Sequence, residues 1–240
     1  MIASVRAATL VLKTIAINPG IGLSELSRAT GLQKSRTFRI LETLMGEGFI
    51  DQMDDKSFCL GIQSMIIGHS ARRTNGLVRK AERLVEELAS DFDENIQLRV
   101  RDGVSNVQIF SRTSQQRLRV ESNAGNVRPL GKGASGRLLL AYMSDSDLEV
   151  SKFTGPALGA EDKAEILRKG FSASSGELTK GVEAVAVPIL DRDGHSQVCL
   201  SASVPSARMS LPYKEALISG LKEVANKLSV NSPAIERIQQ

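Results

Sequence analysis

Tryptophan is absent from this chain, and histidine, cysteine and tyrosine occur only twice each. His69 and His195 are far apart, so no His/Cys group has metal-ligand spacing and no metal site is expected. With so few histidines, no Ser/His/Asp arrangement can be picked out either, and no catalytic residue is expected. Cys59 and Cys199 fall in separate stretches that read as strands, which argues against a disulfide framework and for a reducing cytoplasm. No apolar run approaches the ~18 residues of a membrane span. The first residues carry no signal-peptide pattern, so a soluble cytoplasmic protein without a membrane partner is expected.

What is present is enough chain for two domains, at 240 residues, and a net charge of +4. That balance favours a polyanionic partner only modestly. Residues 1 to 61 hold seven Lys/Arg and six Asp/Glu, so any nucleic-acid surface there must concentrate its cations on one face.

Residues 21 to 49, IGLSELSRATGLQKSRTFRILETLMGEGF, read as two short helices joined by a tight turn. At ~100° per residue, Phe38, Ile40, Leu41, Leu44 and Met45 fall on one broad arc of the second helix. Ser35, Arg36, Arg39, Glu42 and Thr43 fall opposite. Guanidinium groups suit phosphates and the guanine edge, and hydroxyls suit phosphates and base edges. This is a helix-turn-helix pattern, and double-stranded DNA is its natural partner. The candidate contacts are Gln33 and Lys34 at the helix start, then Ser35, Arg36, Thr37, Arg39 and Thr43. Gly31 stands where the first helix must reverse, and Ser24, Glu25 and Ser27 give that helix its start.

Upstream, residues 5 to 17 form a third helical pattern with Val5, Ala8, Leu12 and Ile15 on one side, closed by Asn18-Pro19-Gly20. Downstream, residues 49–53 and 57–60 flank Asp54-Asp55-Lys56 as a hairpin. Together these predict a winged helix in which Lys56 contacts phosphate and the two aspartates shape the turn.

A boundary follows Leu60-Gly61, dividing a DNA-binding domain (1–61) from a linker helix (62–75) able to pair with its twin. Residues 76–240 form the third part, a larger domain. A helix over 77–92 leads into alternating strands at 96–100 and 107–110 around Asp102-Gly103. Helical segments near 134–143, 145–152 and 160–169 precede strands at 183–190 and 197–204 and a last helix over 212–229. The class is α+β with an antiparallel sheet. Ser201 and Ser203 alternate with Cys199, as one wall of a ligand pocket or as the wet face of a sheet.

Gly131-Lys132-Gly133-Ala134-Ser135-Gly136 matches a dinucleotide fingerprint by letter. It lacks the preceding buried strand and the acidic residue ~20 positions on, so no nucleotide cofactor is expected. The loop offers free N–H groups at a helix N-terminus to a carboxylate, or simply close backbone packing. Lys132 reads as an exposed lysine, or as a partner for such a carboxylate.

With those stretches read, the whole chain resembles the IclR family of bacterial transcription regulators. The matching segments are LSELSRATGLQKSRTFRILETLMGEGFI with the wing ending FCLG, PLGKGASGRLLLAYM, and GVEAVAVPILDRDGHSQVCLSASVP. The resemblance implies an N-terminal winged helix-turn-helix, a linker helix and a C-terminal profilin-like or GAF-like effector-binding domain. It also implies homodimers or homotetramers on near-palindromic operators, and organic or aromatic acids as small-molecule effectors. By motif, the effector cavity is lined by Ala134, Ser135, Ala184, Ser201 and Ser203, with Ser174 where members binding short keto acids often carry an acid. Small residues at Gly131, Ser174 and Ala184 leave room for a bulkier acid. Two alternatives stay open: a methyltransferase-like enzyme using the winged helix only to dimerise, and a regulator whose sensing domain has lost its ligand.

Overall fold

The structure is a computed structural model describing residues 2–122, 124–144, 147 and 153–229. The helix expected over 145–152 lies outside the described residues, apart from Asp147. The chain divides into two compact units, Met1–Thr74 and Asn75–Gln240.

The first unit runs α1 (Ala3–Ile17), α2 (Leu23–Thr30), α3 (Lys34–Gly46), the hairpin β1 (Ile50–Gln52) and β2 (Phe58–Leu60), and α4 (Ile62–Thr74). Its core gathers Val11 and Ile15 of α1, Leu26 of α2, Leu41 and Leu44 of α3, and Ile50 and Phe58 of the hairpin. Two expected faces turn out to be rotated. Helix α1 buries Ala7, Val11 and Ile15, an i, i+4 row, while Val5 is exposed. Helix α3 buries Thr37 completely and leaves Phe38 46% exposed. Helix α2 is preceded by Gly22 with no side-chain cap, so Ser24 does not start it. Gly31 ends that helix in the left-handed region at φ 67°, which a side chain would resist. In the hairpin turn, Asp55 accepts both the backbone N–H (2.9 Å) and the hydroxyl (2.5 Å) of Ser57, the turn-shaping role read from sequence.

The second unit starts with α5 (Gly76–Ala89), whose first turn is capped by Asn75 accepting from the Val78 N–H. It continues β3 (Asn95–Asp102), β4 (Ser105–Arg112), β5 (Val127–Pro129), α6 (Gly133–Ala141), α7 (Ala160–Lys169), β6 (Ser172–Ser175), β7 (Val182–Ile189), β8 (Val198–Pro205) and α8 (Leu211–Ser229). The strands form one six-stranded sheet in the order β5-β4-β3-β8-β7-β6, with every pairing antiparallel. The short β5 and β6 carry little apolar alternation and were not anticipated.

Strand periodicity sends Ile96, Leu98, Val185, Val187, Leu200 and Ala202 to one face, where α5 and α8 cover them. The other face carries Gln97, Arg99, Cys199, Ser201 and Ser203 and lies under α6. A bulge fixes this division. Leu98 pairs Phe110 but Arg99 pairs Gln108, so one residue of β4 is skipped. Phe110 thereby joins the apolar face, while Gln108 and Asn106 join the polar one. No helix among the described residues is long and apolar enough to cross a membrane.

Candidate nucleic-acid interface and ligand pocket

Helix α3 presents Gln33 at its N-cap and Lys34, Ser35, Arg36, Arg39 and Thr43 to solvent. Its buried side is Thr37, Leu41 and Leu44, so at ~100° per residue the outermost direction is that of Ser35 and Arg39. Arg36 and Thr43 sit on the flank toward α1, lining a groove of about 470 Å³ with Ser4, Val5 and Arg39. Arg36 Nη2 reaches the carbonyl of Ala3 at 3.4 Å, and the Thr43 hydroxyl donates to the Arg39 carbonyl at 3.0 Å. Thr37 must be removed from the candidate DNA contacts. It is 0% exposed and its hydroxyl donates to the Gln33 carbonyl at 3.1 Å, so it has no surface to offer. Lys56 is exposed at the hairpin tip, in a left-handed conformation at φ 66°.

In the second unit, Ala134, Ser135, Ala184 and Ser203 line one cavity, and Ser174 and Ser201 do not line it. Ser174 stands beside it, its Oγ accepting the Ala134 N–H at 3.0 Å. Ser201 is buried one strand repeat from Ser203, opposite Gln97. The sheet face carrying these serines is therefore not a wet surface. The cavity is also lined by Leu178 and by four polar or charged residues that the sequence did not point to, Gln97, Arg99, Asn106 and Arg128.

Arg99 organises this wall. It is 1% exposed, and five hydrogen bonds hold it: Nε to Asn106 Oδ1 (2.5 Å), Nη1 to Gln97 Oε1 (3.1 Å) and Gln108 Oε1 (2.9 Å), and Nη2 to the carbonyl (3.1 Å) and Oδ1 (3.2 Å) of Asn126. All five acceptors are neutral. Burial, and then the like charge of Arg128, push its guanidinium down to about 10. Gln97 passes the network on by donating to Ser203 Oγ at 3.1 Å. Cys199 on the same face is wholly buried, and burial pushes its thiol up to about 12.

Two expectations about this site fail. The first two N–H groups of α6 are not free. Glu177 accepts the Gly133 N–H at 2.9 Å, Ser174 accepts that of Ala134, and Glu177 also pairs Arg137 at 3.3 Å. The room expected from small residues is also missing, since the cavity measures only about 20 Å³ and Leu178 helps fill it. Gly131 serves close packing instead. A Cβ there would lie 2.3 Å from the carbonyl oxygen of Pro156, and φ is 80°. Asp191, Asp193 and His195 cluster at the β7–β8 turn, where Asp191 Oδ1 accepts the N–H groups of Asp193 (3.0 Å) and His195 (2.8 Å) and so closes the turn.

Against this geometry, residues 4–54 match the model of the IclR helix-turn-helix domain, and residues 69–230 match that of the bacterial transcriptional regulator IclR C-terminal domain. The regulator KdgR of Dickeya chrysanthemi is 28% identical over 232 residues, 91% of this chain and 76% of that protein. The glycerol operon regulatory protein of Streptomyces coelicolor is 32% identical over 186 residues, 72% of each chain. Among solved structures, a transcriptional regulator from Alicyclobacillus acidocaldarius superposes with a TM-score of 0.82, covering 95% of this chain and 98% of that one at 24% identity. That likeness concerns the fold.

Proposed function

Because the chain belongs to the IclR family of bacterial transcriptional regulators, we propose that it acts in the cytoplasm as a dimer, alone or paired into a tetramer, with two α3 helices in successive major grooves of a near-palindromic operator. As a member of that family it is a DNA-binding regulator with a C-terminal effector-binding domain, not an enzyme. The methyltransferase alternative is thereby set aside.

One observation carries the DNA reading. Helix α3 turns Ser35 and Arg39 directly away from its buried Thr37–Leu41–Leu44 side. Arg39 reads bases or clamps phosphate, with Ser35, Lys34 and Gln33 at the helix start, while Arg36 and Thr43 work from the flank. Lys56 holds the backbone beside the groove. Residues 62–75 serve as the linker, supported by an apolar stripe on α4 that nothing among the described residues covers: Ile62 (57% exposed), Met65 (70%) and Ile66 (51%). Such a stripe suits pairing with a second copy. An organic acid in the cavity under α6 then changes operator affinity to the extent that it binds one dimer arrangement better than the other.

Selection of bound DNA from random and own-genome fragments tests this, with Arg39→Ala and Arg36→Ala as controls. A near-palindromic site lost in Arg39→Ala is the expected result. Salt-sensitive binding with no sequence preference would overturn the operator reading.

A further inference from the structure

The cavity under α6 is built against its own interest in stability. Burying a guanidinium without a carboxylate is costly even when dipoles satisfy its protons. Yet Arg99 is buried among neutral acceptors only, and a second arginine, Arg128, lines the same cavity. Lys132 lines it as well. Among the described residues the side chains of Arg128 and Lys132 make no hydrogen bond or ion pair. Burial holds the Arg128 guanidinium below its usual range, as it does that of Arg99. Three cationic residues thus line one small cavity, and no acidic side chain among the described residues does. The carboxylate of Glu177, at the start of α6, is committed to the Gly133 N–H and to Arg137.

We propose that Arg128, flanked by Lys132, is the anion-recognition group of this cavity, and that the ligand is a carboxylate whose charge supplies the counter-ion the chain withholds. The proposal rests on the reading of this cavity as the effector pocket and moves its anion subsite from the start of α6 to the β5 side. Arg99 has no donor left over, so it acts on the ligand through its charge and by fixing the Gln97, Asn106 and Gln108 amides. Gln97 and Ser203 are placed to sort the uncharged part of the ligand. The present cavity of about 20 Å³ holds roughly one water. Entry therefore requires the lining to give way, and Leu178 is the apolar lining residue carried on a loop. Its loop is bounded by Gly176 (φ 68°) and Gly181 (φ 77°), which supply the backbone freedom for that.

Calorimetric melting of the full chain tests the assignment, with sodium acetate as the probe, sodium chloride at equal ionic strength as control, and acetamide as the neutral isostere. Acetate should raise Tm saturably above the chloride control, and acetamide should not. Arg128→Gln should weaken the apparent acetate affinity at least tenfold, and Arg128→Lys should retain most of it. Arg128→Gln should also raise the Tm of the acetate-free protein at low salt, because it removes the charge facing Arg99. A purely structural arginine would lower Tm instead. The proposal is overturned if acetamide matches acetate, if acetate gives no shift, or if Arg128→Gln responds like the parent. Should an uncharged compound still alter operator affinity in that case, the effector pocket stands and only the anion subsite falls. Should acetate bind through Arg128 while no acid affects DNA binding, the subsite stands and the effector reading falls.

Discussion

Glu177 accepts the backbone N–H of Gly133 at 2.9 Å, placing a carboxylate of the chain itself on the first turn of α6. A negative charge there is favoured by the helix dipole, and the side chain is one-third exposed, which limits the gain. Glu177→Ala should lower stability by only about 0.5 kcal/mol. The same change frees the Gly133 N–H and should strengthen acetate binding. Thermal melts with and without acetate measure both, and a parent-like acetate response in Glu177→Ala would show that the helix start is no site for anions.

Arg39 and Thr37 are two residues apart and should behave oppositely. Arg39→Ala should leave the melting profile unchanged and weaken operator binding at least tenfold, as loss of a bidentate base or phosphate contact does (about 1–3 kcal/mol). Thr37→Asp should instead unfold the first unit by burying an unpaired carboxylate. Thr37→Val, which keeps the volume, should fold and bind DNA. Circular dichroism paired with operator titration separates the three, and normal folding of Thr37→Asp would refute the placement of Thr37.

Glu94 is 0% exposed at the start of β3, and Arg208 grips both its oxygens at 2.7 Å. Arg208 also holds the Leu118 carbonyl at 2.8 Å, so one side chain ties three segments together. Glu94→Gln should cost about 2–4 kcal/mol, toward the low end for a buried pair because Arg208 reaches solvent. Denaturant melts provide the measurement. A loss under 1 kcal/mol would show the pair to be replaceable.

Asp93 controls part of the acid limb. The Gln115 N–H (3.0 Å), and then Arg112 (2.6 Å), hold its carboxyl below the ordinary 3.8. A depressed folded-state value means that its contribution is complete above 3.8 and fades as pH falls through the lower value. Asp93→Asn should therefore lower Tm at pH 7, and the difference from the parent should shrink toward pH 3. A difference independent of pH would assign the effect to packing.

Much of this was legible in the sequence, and the misses have physical causes. The helix-turn-helix, the hairpin and the two long strand pairs follow from periodicity and from Gly31, Asp102-Gly103 and Asp191–Gly194. Thr37 was misplaced although the arc from Ile40 to Phe38 passes directly over it. Residue type outweighed angle, and a hydroxyl that donates to its own helix at Gln33 can be buried. The ligand wall failed for a different reason. Gln97 and Arg99 share a face by simple alternation, but alternation cannot tell a solvated polar face from a buried one. That distinction depends on α6 lying across it and on the bulge that brings in Asn106 and Gln108. Arg128, on a three-residue strand, left no local signal at all.

Helix α4 raises a question of helix–coil balance. Its first turn is fastened, with Gln63 N–H on the Gly48 carbonyl and Ser64 Oγ on that of Phe49, but none of its 13 residues is buried. A peptide helix of that length is marginal in water, near the ~12–15 residue threshold. Beyond the fastened turn, the helical content of α4 should therefore follow the concentration of chains. On the proposed pairing of copies along Ile62, Met65 and Ile66, its backbone amides become a gauge of self-association, exchanging fast in dilute solution and slowly in the paired state.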